Sequence, residues 1–163
     1  MLVALAAPTV ARAEHIQATL TGYEEVPVVS TVASGEFRAM ISHDDQSIDY
    51  ELTYNGLQGT VTQAHIHVAQ LSVNGSIVIW LCDTTSNPGP AGTPTCTPGS
   101  GTFTGTITAA NVVAGATASQ QLTASDLAEV IAAIRADAAY ANVHTNLSPG
   151  GEIRGQIGAS ARP

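Results

Sequence analysis

The sequence predicts an all-β fold, an antiparallel Greek-key sandwich or barrel carrying one helix in its C-terminal half. Three observations predict it. Short runs alternate apolar and polar residues, the two-residue period of a half-buried strand. Gly, Pro, Asn and Ser cluster between those runs. One late segment alone has the 3.6-residue apolar period of a helix. With 163 residues, the chain has the length of one compact domain, and it shows no internal repeat.

The chain opens MLVALAAPTVARA. This apolar stretch ends in Ala11-Arg12-Ala13, the small-x-small pattern of a cleavage site. It has no basic residue near its start and is too short to span a bilayer. The sequence therefore divides into a signal-peptide remnant at 1–13, a β domain at 14–158 and a tail at 159–163.

Within the domain, IQATLTG and GEFRAMI read as the first two strands. SIDYELTY is the clearest strand, with Ile48, Tyr50, Leu52 and Tyr54 on one face and Asp49, Glu51 and Thr53 on the other. AHIHVA follows. Asn74-Gly75 is expected as a hairpin turn before SIVIWL, and Asn74-Gly75-Ser76 is also a glycosylation sequon. GTFTGTIT turns its threonines outward and Phe103 and Ile107 inward. Residues 124–138 form the expected helix, started by Thr123 with Asp126 as a capping box or by Ser125. YANVHT and EIRGQI, joined by NLSPGG, read as a closing hairpin. The helix is expected to plug an open end or cover a sheet edge.

Charge excludes some partners. There is no lysine, and five arginines stand against thirteen acidic residues for a net charge of −8. Such a surface repels nucleic acid and anionic membranes and tolerates small cations. Cys82 and Cys96 flank DTTSNPGPAGTPT. A disulfide there would restrain a long flexible connection, a gain of roughly 2–4 kcal/mol; two free thiols or a Cys-ligated metal are the alternatives, the latter at no short-knuckle spacing. Export to a secreted or periplasmic location fits both the N-terminus and the cysteines.

GYEEVP, AHIHVA with NGSIVIWL, and YANVHTNLSPGGEIRGQI together resemble the CHRD domain, named after the extracellular antagonist chordin and also found as a single exported domain in bacteria. The resemblance covers about His15 to Gly158, and the closing run with Tyr140, His144, Thr145, Gly151, Glu152, Arg154 and Gly155 is its most specific part. It implies export and an immunoglobulin-like or barrel-like β domain. In chordin the domain belongs to a secreted binding protein, which implies a protein-interaction role or a homo-oligomer as an alternative. A weaker likeness, to copper/zinc superoxide dismutases, lies in the order of His65, His67, His144 and Arg154. No counterparts of the zinc-site loop ligands stand between His67 and Gly115, so a metal-dependent oxidoreductase is a further alternative with one metal at most.

Side chains two apart on a strand share a face, so His65 and His67 project together. Two imidazoles hold a divalent transition metal ion weakly, and His144 is the candidate third ligand for copper or, second, zinc. Glu24, Glu25, Tyr140, Glu152 and Arg154 are candidates to orient those imidazoles, with Glu152 or Arg154 expected beside His144 and Arg154 expected to pair with one of Glu24, Glu25 and Glu152. The same residues could instead form a purely structural hydrogen-bond network inside the barrel. His15, next to a processed N-terminus, and His43 in SHDDQS are lesser metal candidates. No serine elbow, activated cysteine, H-E-x-x-H or phosphate loop is present, so no catalytic residue is assigned.

Overall fold

The computed structural model describes residues 13–159. The expected signal remnant, Ala13 apart, and the expected tail beyond Ala159 lie outside the described residues.

Eight strands form a nearly closed antiparallel barrel. They are β1 (Glu14–Thr21), β2 (Ser34–Ile41), β3 (Ile48–Asn55), β4 (Val61–Val68), β5 (Ser76–Cys82), β6 (Gly101–Ile107), β7 (Ala139–Thr145) and β8 (Ile153–Gln156). A two-residue strand, β9 (Gly158–Ala159), adds to β1. Round the wall the order is β5-β4-β7-β8-β1-β2-β3-β6. The β3–β4, β5–β6 and β6–β7 connections therefore join strands that are not neighbours, the Greek-key way of wrapping antiparallel strands.

Alternation accounts for the core. Ile16, Ala18 and Leu20 of β1, Phe37 and Ile41 of β2, and Ile48, Tyr50, Leu52 and Tyr54 of β3 all belong to one buried cluster. Phe103 and Ile107 join it from β6, while the β6 threonines at 102, 104 and 106 face outward. Gly155 lets β8 approach β1: a Cβ there would lie 2.3 Å from the Thr19 carbonyl oxygen.

The remaining gap lies between β5 and β6. It contains a cleft of about 220 Å³ walled by Tyr50, Trp80, Gly105 and the 90–94 segment. The Cys82–Cys96 disulfide is formed. It holds the 83–95 loop against β5, where Cys96 N–H donates to the Asp83 carbonyl. A disulfide points to folding in an oxidising compartment.

The helix α1 spans Leu127–Arg135, shorter than 124–138 at both ends. Ser125 has φ 65° and cannot begin a helix, so Asp126 caps instead, accepting from Glu129 N–H at 3.1 Å. At the other end Asp137 turns left-handed (φ 53°) while Ala138 N–H returns to the Ala133 carbonyl, the usual way a helix stops. Leu127, Val130, Ile131 and Ile134 enter the barrel's cluster. Arg135 ties the helix to β1 and the β2–β3 turn through Glu14 and Asp45, both at 2.8 Å. Among the described residues no helix is long and apolar enough to cross a membrane.

The expected turn at Asn74-Gly75 sits earlier. The chain reverses at Gln70–Val73, with Ser72 at φ 62° and Val73 N–H donating to Gln70. Asn74 is free to bridge, donating to the Val26 carbonyl and accepting from Arg154.

Strands β4, β7 and β8 are buried on both faces. Ala64, Ile66, Ala139, Ala141, Val143 and Ile153 face the core. His65, His67, Tyr140, Asn142, His144 and Arg154 alternate with them and are also buried. They face outward, beneath the loops 69–75 and 146–152, which reach them through Val73, Asn74, Gly75 and Pro149, and the 22–33 segment joins the first of these where Asn74 donates to the Val26 carbonyl. A network expected inside the barrel is instead roofed on its outer wall.

Candidate metal centre

His65 and His67 come from β4 and His144 from the adjoining β7, whose register sets His65 beside Asn142 and His67 beside Tyr140. Each histidine offers one ligand atom, and the three atoms lie within 4.8 Å of one another. The closest approach is His65 Nδ1 to His144 Nε2, 3.1 Å. Three nitrogens bound to one ion at about 2.0–2.1 Å stand roughly 3.3–3.6 Å apart, so loading requires the widest pair to draw in.

Backbone carbonyls fix two of the rings. His67 Nδ1 lies 2.9 Å from the Gly75 carbonyl oxygen. His144 Nδ1 lies 2.9 Å from that of Pro149. A carbonyl only accepts, so each Nδ1 carries the proton and each Nε2 is left with a bare lone pair. Donating the other ring N–H to a carbonyl is how metal-binding imidazoles are oriented. His67 Nε2 and His65 Nε2 are buried without a well-formed hydrogen bond, Asn142 being the one side chain that acts on His67 as a hydrogen-bond partner; a buried nitrogen left unpaired costs about 1–3 kcal/mol. The Asn142 amide stands 3.0 Å from His144 Nε2; its two end atoms exchange by a half-turn, so it serves a bare nitrogen with its NH2.

Burial keeps the rings neutral. Desolvation, helped by the neighbouring His144 and His67, pushes His65 down to about 2. Desolvation likewise pushes His67 down to about 4, against the Gly75 hydrogen bond. His144 is lowered by the same cause. Neutral imidazole is the form that ligates.

Aromatic packing holds the triad. Tyr140 stacks flat on His67, with centroids 4.7 Å apart and planes within 4°. Arg154 sets its guanidinium carbon 3.5 Å from the Tyr140 centroid. Trp80 meets His65 edge-on at 4.4 Å. Trp80, Gly75 and Pro149 are the contributors that residue reading misses. Carbonyl anchors leave no mark in a sequence, whereas Trp80 could have been found from its place on the strand paired with His65.

The other candidates fall elsewhere. Glu152 turns from the triad to the loops: its oxygens accept from Thr31 Oγ1, Thr145 Oγ1, Gln58 N–H and Gly59 N–H. These bonds hold its carboxyl below the usual range in spite of burial. Arg154 pairs across the sheet with Asn142. Its nitrogens donate to the Val73 carbonyl at 2.7 Å and Asn74 Oδ1 at 3.2 Å, and among the described residues no carboxylate forms a salt bridge with it. Glu24 accepts from Gln156 N–H. Glu25 is buried with Oε1 unpartnered, against Gly151, where a Cβ would lie 2.3 Å from that oxygen. His15 and His43 are exposed, on β1 and in the β2–β3 turn, and neither joins the triad's cluster of ligand atoms. In SHDDQS, Asp44 is taken by Ser42 and Gln46, and Asp45 by Arg135.

Fold and site together define a Greek-key β-barrel domain with a buried histidine triad on its outer wall that could hold a metal. The chain matches the CHRD domain family over residues 16–157 and belongs to that family. No curated protein and no solved structure matches it.

Proposed function

We propose that this CHRD domain binds one transition-metal ion through His65, His67 and His144, copper before zinc, in a secreted or periplasmic setting, and that it works by sequestration or delivery rather than catalysis. The observation that carries this reading is the clustering of one ligand nitrogen from each of His65, His67 and His144 within 4.8 Å, with the His67 and His144 rings anchored by carbonyls at Nδ1 and the His67 and His65 Nε2 atoms buried without a hydrogen bond. Imidazole suits copper and zinc, and the affinity order among divalent ions favours copper. The net charge of −8 favours cations over anions as partners.

The test is retention. Purified protein exposed to copper and desalted should keep close to one equivalent. His65→Ala or His67→Ala should abolish this, and stoichiometric retention by the double variant refutes the assignment.

A second reading has its own support. Tyr23, Val28, Leu71, Val73 and Leu147 are large apolar side chains left exposed; Leu71, Val73 and Leu147 lie on the loops that roof the triad, and Tyr23 and Val28 on the 22–33 segment bonded to them through Asn74 and Val26. A protein-interaction surface there fits a binding module. Replacing Tyr23 and Leu71 with Ser should then abolish binding to a partner while leaving metal retention intact.

A further inference from the structure

The surroundings of the triad bear on the charge of its ion. Resting on the metal-binding reading above, we infer that the site takes copper as Cu(I) in preference to Cu(II) or Zn(II). The donor set is three neutral imidazoles, and no carboxylate joins it. Both Glu152 oxygens are engaged by the loops, Glu24 is engaged by Gln156, and Glu25 lies against Gly151.

A permanent cation stands close by instead. Arg154 is 1% exposed, and its guanidinium rests on the ring of Tyr140, which itself stacks on His67. Its hydrogen bonds are to carbonyl and amide oxygens, and the one carboxyl that feels its charge, Glu25, is itself pushed towards the neutral form by burial. Repulsion from that charge is twice as large for a divalent as for a monovalent ion.

Burial acts in the same direction. His65 is fully buried, and His67 and His144 are nearly so. The cost of removing an ion from water rises with the square of its charge, so a divalent ion pays about four times what a monovalent one does. Zinc in such a site ordinarily recovers this through thiolate, carboxylate or a bound water as fourth ligand. Cu(I) is content with two or three neutral nitrogen ligands and needs no anion.

The test measures three affinities on the full domain with its disulfide intact. Cu(I) is supplied anaerobically with ascorbate and competed against a chromophoric Cu(I) chelator. Cu(II) and Zn(II) are competed separately against chelators of known strength. The expected result is one equivalent of Cu(I) held at least about 100-fold more tightly than either divalent ion, and lost in His65→Ala but retained in His43→Ala. Cu(II) or Zn(II) bound at the triad as tightly as Cu(I) overturns the inference and leaves the metal-binding reading standing. No retention of any of the three ions overturns both.

Discussion

Tyr140 lies flat on His67, its ring 4.7 Å away and within 4° of parallel, and Arg154 caps the stack from β8. Two side chains from the next two strands round the wall thus fix the orientation of one imidazole. Tyr140→Phe keeps the stack and loses only a long hydrogen bond from Gly75 N–H, 3.4 Å, so it should retain metal. Tyr140→Ala should cost about 3–5 kcal/mol in urea unfolding and weaken retention, because His67 and Arg154 both lose their packing.

Glu25 makes stability depend on pH. Burial raises its carboxyl from 4.5 to about 7, against the pull of Arg154. The folded state therefore holds the proton more strongly than the unfolded chain. The stability this supplies is fully present below 4.5 and is lost as pH rises through about 7, a change on the order of 3 kcal/mol. Glu25→Gln should remove most of this loss between pH 5 and pH 8 in urea midpoints. An equal loss in both proteins would show that Glu25 is not its source.

Gly151 is tied to the same carboxyl. It has φ 129°, and a Cβ would overlap Glu25. Gly151→Ala should destabilise by about 1–3 kcal/mol from backbone strain alone, and further through the clash. Glu25→Gly in the same chain should recover the clash component only, a coupling that a double-mutant cycle measures.

Neither cysteine of the disulfide belongs to the triad, although Cys82 is two residues from Trp80 on β5. Closing a loop of sequence separation 14 stabilises by about 3 kcal/mol. Cys82→Ser with Cys96→Ser should lower stability by that order and leave metal retention unchanged.

Trp80 is the sole tryptophan and touches His65 edge-on. Copper loading should quench its emission in step with bound metal and stop at one equivalent. In His65→Ala the emission should not respond to the same additions.

Much of this was legible in the sequence. Strict alternation places Ile48, Tyr50, Leu52 and Tyr54 in the core, and the i, i+2 spacing puts His65 and His67 on one face. The roof was not legible. Whether the second face of β4 meets solvent, a core or loops depends on where distant segments return, and no local pattern encodes the approach of Gly75 or Pro149. Register places Glu152 near His144, but backbone donors at Gln58 and Gly59 draw its side chain the other way. The helix looked longer because Ala124 and Ala138 extend its pattern, while the left-handed turns at Ser125 and Asp137 bear neither Gly nor Pro to announce them.

The central claim is that one metal ion sits between His65, His67 and His144. A crystal structure of the copper-loaded domain, with anomalous scattering recorded across the copper absorption edge, tests it most directly. The account predicts a single strong peak about 2.0–2.2 Å from His67 Nε2, His144 Nε2 and one nitrogen of His65. A peak at His15 or His43 with none at the triad, or an ordered triad with no peak, would contradict it.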